Sequence, residues 1–168
     1  MSTIARALLW AFVILMGLDL GAGVYEMRVN VAGWSSAITT RTPDGEAYMR
    51  FAPNAGNRWW IVLTPLLALV TLAGLIAAFR SAGPASVWMR RATGLELVIV
   101  LSTFAWFVPN IMRLLAHYHE LPADFVAART SLWVSLNGIR AVLTFVAWIM
   151  GLRALTFLGS SANLVSGR

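Results

Sequence analysis

Asp19 and Glu26 lie seven positions apart in an apolar stretch. On a helix that spacing puts both carboxyls on one face. A second set recurs every seven residues: Glu96, Thr103, Asn110 and His117, with Arg113 between the last two. A third set, Trp133, Asn137, Arg140 and Thr144, runs at intervals of four, three and four, and Trp148 continues it. Polar groups at membrane depth are costly, so residues of these types kept in apolar stretches are expected to face a protein interior or a cavity, as a buried network or as the wall of a pocket. No metal or cofactor is expected. His117 and His119 are two apart, which is not a helical face, and Glu120 and Asp124 are the acids near enough to join them. The sequence has no cysteine, which removes thiolate chemistry and disulfides. It shows no glycine-rich phosphate loop and no assignable Ser-His-Asp arrangement.

The elements that must position these groups are membrane helices. Of the 168 residues, 59% are hydrophobic and 12% charged. Mean hydropathy is +0.73. A soluble domain carries about twice that share of charge. The net charge is +6, all thirteen basic residues are arginines, and no basic block is longer than Arg90-Arg91. A nucleic-acid reader gathers its charge into a patch or stripe. The arginines therefore read as membrane-flanking residues, and nucleic acid is excluded as a partner.

The expected fold is all-α: one domain, residues 1–168, forming a four-helix transmembrane bundle. Its helices are predicted at about 4–27, 59–79, 94–116 and 132–158, with a small polar tail at 159–168. The apolar run of the first helix continues past the length of a signal-peptide core and is read as retained. Gly17, Gly21 and Gly23 read as a close-packing face. Residues 30–57 are polar, with turn signals at Pro43-Asp44-Gly45 and Pro53-Asn54, and are expected as a long loop. Trp34 suggests that part of this loop lies on the bundle as a cover. Pro109 should bend the third helix and free a carbonyl near Ala105. The short connection 80–93 holds three arginines and no acid. Arginine bias in short loops marks the cytoplasmic side. Both termini are accordingly expected in the cytoplasm, and the long loop and the His117/His119 hairpin outside.

Depth along the helices brings the stripes together. Asp19 and Arg140 each fall about 12 Å below the outer ends of their helices. Charges left alone at that depth are costly, so the two are expected to pair. Glu26, Asn110, Arg113, His117, Trp133 and Asn137 then gather above them. Glu96 falls about 21 Å from Asn110 toward the cytoplasmic end, which suggests separate work near Arg90 and Arg91.

Several motifs carry a resemblance. They are Gly21-Ala22-Gly23-Val24-Tyr25-Glu26, Trp34, Asn57-Arg58-Trp59-Trp60, Glu96, Phe107-Val108-Pro109-Asn110, Leu121-Pro122, Trp133-x-x-Leu136-Asn137-x-x-Arg140, Ala147-Trp148 and Leu152-Arg153-Ala154-Leu155. Over nearly the whole chain, the sequence resembles the DUF1772 family of four-helix bacterial membrane proteins, which is similar to the fungal anthrone oxygenases. The resemblance implies oxidation of an activated aromatic methylene by O₂, without metal or flavin. It implies Glu26 or Asp19 as base, with Glu26 favoured because Asp19 should pair with Arg140. It implies Arg140, Asn137 and Arg113 as holders of the anion, Asn110 in the same pocket, and Trp133, Phe107 and Tyr25 stacked on the ring.

The expected function is binding or oxidation of a lipophilic aromatic or quinone-like molecule between helices one, three and four, in the bacterial inner membrane. The alternatives are a non-catalytic lipid or small-molecule binder or accessory subunit, and then a small transporter. The expected partners are the lipid bilayer and a lipophilic small molecule, and a homo-oligomer is compatible with the sequence.

Overall fold

The computed structural model describes residues 1–51 and 53–166, with side chains for 1–50 and 58–158. All regular structure among the described residues is helical: α1 Thr3–Tyr25, α2 Ala32–Thr40, α3 Pro43–Phe51, α4 Pro53–Phe79, α5 Pro84–Ser102, α6 Val108–His117 and α7 Ala123–Ser166. Two widened π-helical segments interrupt the series. Glu26–Val31 joins α1 to α2, and Thr103–Phe107 joins α5 to α6. Four stretches are long and apolar enough to cross a membrane: Thr3–Thr40, Arg58–Phe79, Pro84–His117 and Ala123–Leu158. The chain is a multi-pass helical membrane protein by this measure.

The helices form a ring. α1 packs on α4 and α7, and α5 packs on the same two. Outward positions are apolar and uncovered, as at Ile61 (72% exposed), Leu69 (67%), Val98 (63%) and Val142 (62%). In water such a surface would aggregate, whereas acyl chains solvate it. The interior holds two apolar cores. One, toward Met1 and the Phe79–Pro84 turn, contains Leu9, Phe12, Val13, Met16, Leu67, Met89 and Ala147. The other, at the opposite end, contains Val31, Trp34, Ile38, Phe107, Leu114, Tyr118, Val126 and Trp133.

The segment expected as a long loop is mostly helix. Val31, Trp34 and Ile38 are buried at helical spacing, and that stripe outweighs the polar residues around it. The first span therefore continues for 38 residues, about 57 Å, well beyond a hydrocarbon core of roughly 30 Å. Its far end and α3 form a cap. Arg41 turns the chain between α2 and α3 with a left-handed φ of 52°. The expectation that Trp34 packs on the bundle agrees with its burial.

Other boundaries also move. α4 begins at Pro53 rather than near 59, and α5 begins at Pro84 rather than near 94, so Arg90 and Arg91 are helical. Pro84 sits in the first turn, where its missing N–H costs nothing, and Gly83 precedes it at φ 96°. α7 begins at Ala123, directly after Pro122, and its backbone continues to Ser166 rather than ending near 158.

The glycine face is only partly a packing face. A Cβ on Gly17 would rest on Trp148 at 3.5 Å, and one on Gly151 would meet Val13 at 3.0 Å. At Gly21 and Gly23 a Cβ would meet nothing within 4 Å.

Candidate functional site: a polar layer between two apolar cores

Between the two cores lie Asp19 on α1, Glu96 on α5, Thr103 in the second π segment, and Asn137 and Arg140 on α7. Glu96 is 2% exposed, Asn137 4% and Thr103 9%. Asp19 and Arg140 are half-buried. Asp19, Glu96 and Arg140 lie within electrostatic reach of one another. One guanidinium therefore faces two carboxyl groups from two other helices.

The expected Asp19–Arg140 ion pair does not close. Among the described residues no bridge of 4.0 Å or less joins them. Two groups on the third span hold the guanidinium instead. Arg140 Nη1 donates to Thr103 Oγ1 at 3.2 Å, and its Cζ stands 5.0 Å from the Phe107 ring centroid. An arginine over an aromatic face gains electrostatic attraction while it stays partly desolvated. Glu96 is also corrected: it belongs to this group, not to a separate network near Arg90 and Arg91. Arg90 lies over Phe79 and Arg91 over Trp88.

The second π segment gives the layer its roof. Pro109 follows one residue beyond it and has no N–H to donate, and the widened turn lets Val108 N–H donate to Thr103 O. Carbonyls at the end of this segment are taken up by side chains. Trp133 Nε1 donates to Phe107 O at 3.1 Å, and Asn110 Nδ2 donates to Trp106 O at 2.8 Å. The accepting carbonyls are thus near, but not at, the expected Ala105. Phe107, Trp133 and Trp34 then pack edge to face, with centroids 5.9 Å and 5.4 Å apart.

Within this layer, two buried acceptors lack partners among the described residues. Glu96 Oε2 has none, and Asn137 Oδ1 has none, although Asn137 Nδ2 donates to Met27 Sδ at 2.7 Å. A buried acceptor left open costs about 1–3 kcal/mol. A Cβ on Gly17 would meet Trp148, and Met27 touches Asn137. Gly23 lies between the first members of those pairs and Arg140 between the second, so Gly23 and Arg140 face the same level. That is where a Cβ on α1 would find open space.

The remaining expected residues stand apart. Glu26 opens the first π segment, and its Oε2 accepts from Asn30 Nδ2 at 2.7 Å, on the cap side of the layer. Tyr25 is 61% exposed. Arg113 is exposed and, with Asn110, Leu114, Leu121, Phe125 and Arg129, lines a nick of about 10 Å³. That is room for about one water. A larger recess of about 540 Å³ lies at the opposite end, among Met1, Ile4, Leu8, Ala73, Ala77 and Arg80. Neither recess reaches Asp19, Glu96 or Arg140.

The cap closes over the Phe107–Trp133 core. Arg41 Nη2 donates to Tyr118 O at 2.6 Å and to Leu121 O at 2.8 Å, capping the end of α6. Tyr118 OH donates to Glu46 Oε2 at 3.0 Å, and His119 Nε2 lies 3.4 Å from the same oxygen. His117 Nδ1 is 3.1 Å from Glu120 Oε2. Among the described residues no group of three His, Cys, Asp or Glu side chains is gathered for a metal. Tyr48 reaches across Gly33, where any Cβ would collide with its ring, and its OH donates to Asn30 O at 3.4 Å.

Glu96 was not among the expected site residues, yet its seven-residue spacing to Thr103 carried the signal. Met27 and Gly23 gave no comparable signal. Comparison of the chain with protein-family models, with curated proteins and with solved structures found no match.

Proposed function

We propose that this chain binds a lipophilic, hydroxyl-bearing aromatic molecule of the phenol or quinol class between the first, third and fourth spans. The observation that carries the reading is the pair of buried, open acceptors, Glu96 Oε2 and Asn137 Oδ1, in the same layer as the Arg140 guanidinium. Ligand hydroxyls satisfy the acceptors, and Arg140 supports a phenolate or carbonyl oxygen. The ring then lies against Phe107 and Trp133, with entry sideways from the bilayer at Gly23.

Oxidation at this site extends the same reading and rests on the resemblance to the anthrone oxygenases. A carboxylate takes one proton from an activated methylene, and Arg140 and Asn137 hold the carbanion. Dioxygen adds to that carbon, and water leaves as the carbonyl forms. Asp19 is the better base on this geometry. It shares the layer with Arg140 without closing an ion pair, whereas Glu26 is held by Asn30 on the cap side. The non-catalytic alternative, a lipid or small-molecule binder, draws support from the half-exposure of Asp19 and Arg140, which leaves the layer open to the membrane rather than enclosed. We place the protein in a bacterial inner membrane with both termini cytoplasmic and the cap outside, on the short connection 80–93, which holds three arginines and no acid, while the acids of residues 26–46 and 120–124 lie at the cap end.

Quenching of tryptophan fluorescence by a naphthoquinol in detergent tests binding. Saturable quenching should weaken at least about tenfold in Glu96→Gln and Asn137→Leu. Equal quenching in both variants would overturn the reading. Incubation of membranes with anthrone then separates the two classes. Quinone formation that Asp19→Asn abolishes, with binding retained, marks an enzyme. Binding without turnover marks a carrier.

A further inference from the structure

The end of the bundle that carries Met1 and the Phe79–Pro84 turn is wholly cationic. Residues 1–18, 73–95 and 144–158 hold Arg6, Arg80, Arg90, Arg91 and Arg153 and not one acid. Most of the inward arginines are occupied by aromatic rings. Arg90 lies 5.5 Å from the Phe79 centroid, Arg91 5.2 Å from Trp88, and Arg153 5.6 Å from both Trp88 and Phe157. Arg80 differs. Its backbone N–H bonds Ile76 O, but among the described residues its guanidinium has no hydrogen bond, ion pair or ring partner.

Arg80 stands at the mouth of the 540 Å³ recess. That volume falls in the range of about 300–1,000 Å³ usual for small-molecule sites. The walls are apolar: Ile4 and Leu8 from α1, and Ala73, Ile76 and Ala77 from α4. The two serine hydroxyls at the rim are already engaged. Ser2 Oγ accepts from Ala5 N, and Ser81 Oγ donates to Ala77 O. The guanidinium is therefore a free donor there, beside the Met1 end of α1 and above an apolar trough, at the end of a membrane span. A free phosphate would match the cation but leave the trough empty. A neutral acyl chain would fill the trough and leave the cation alone. An anionic phospholipid matches both.

We propose that this recess seats an anionic phospholipid, with Arg80 on its phosphate and the upper acyl chain along Ala73 and Ala77. The site is separate from the polar layer, and its occupancy does not depend on what binds there.

Native mass spectrometry of the protein released from nanodiscs of mixed phosphatidylglycerol and phosphatidylcholine tests it. The wild-type protein should retain one phosphatidylglycerol in preference to phosphatidylcholine. Arg80→Gln, a change at an exposed side chain, should cut that preference roughly fivefold. Ala77→Phe should expel the lipid by filling the trough, whereas Arg91→Gln should leave it bound. Three results overturn the proposal: equal retention of both lipids by the wild-type protein, undiminished phosphatidylglycerol on Arg80→Gln, or displacement of the lipid by inorganic phosphate alone.

Discussion

Asn137 donates from Nδ2 to the sulfur of Met27 at 2.7 Å, while its Oδ1 is buried with no partner. A residue placed only to bind two helices together would use its carbonyl as well as its amide. Here the carbonyl is left open, three residues before Arg140 on α7.

That arrangement has a measurable cost. Asn137→Leu loses one bond to sulfur, a weak acceptor, but removes an unsatisfied one. The variant should melt higher in detergent, by about 1 kcal/mol in stability. A lower melting temperature would show that Oδ1 is satisfied in the membrane and that the amide is structural.

Arg140→Leu should act in the opposite sense. It leaves Asp19 and Glu96 facing each other without their cation, with an expected loss of about 3 kcal/mol. Adding Asp19→Asn to the variant should recover part of that loss. Unchanged melting in the single variant, read by intrinsic fluorescence, would sink the claim that the three groups are coupled.

Arg41 holds the cap through two carbonyls of the 118–121 turn. Arg41→Ala should cost about 2 kcal/mol. Hydrogen exchange should rise first in residues 32–50 and 114–122 and leave the α1–α4 core protected. Uniform loosening of the whole bundle would refute a local role.

Tyr118 supplies a pH signature outside the spans. Burial, and then its hydrogen bond to Glu46 and the charge of that carboxylate, raise its pKa above the ordinary 10.0, against the opposing pull of Arg41. The folded cap therefore favours the neutral phenol. Stability from this group is fully present below pH 10, and is lost as pH rises from there through the folded value. Alkaline melting curves should be flatter in Tyr118→Phe than in the wild-type protein. Identical slopes would remove Tyr118 from the cap's alkaline limit.

The sequence made the polar stripes readable because charged and amide residues stand out in a lipid-suited chain. It also made four spans readable, since apolar runs of that length have few other uses. It misled where polarity and geometry disagree. Asn30, Ser35 and Ser36 made residues 30–40 look like part of a long loop. The signal that governed the fold was the quieter spacing of Val31, Trp34 and Ile38. Glu96 was misplaced because depths were compared between backbones. An arginine side chain spans several ångströms along the bundle, enough for Arg140 to reach Thr103 and the level of Glu96. The Asp19–Arg140 pair could not be judged from depth at all, because the competitor, the Phe107 face, is set by how the third helix unwinds before Pro109.

The two widened turns also set rotational phase. Each π segment holds a residue more than an α-helix of the same rise would, so the helix beyond it is turned by about 100° from where a regular helix would put it. Trp34 and Ile38 face the bundle only because Glu26–Val31 supplies that turn. Loss of a single residue there would leave hydropathy and length almost untouched, yet swing the whole cap stripe off the protein.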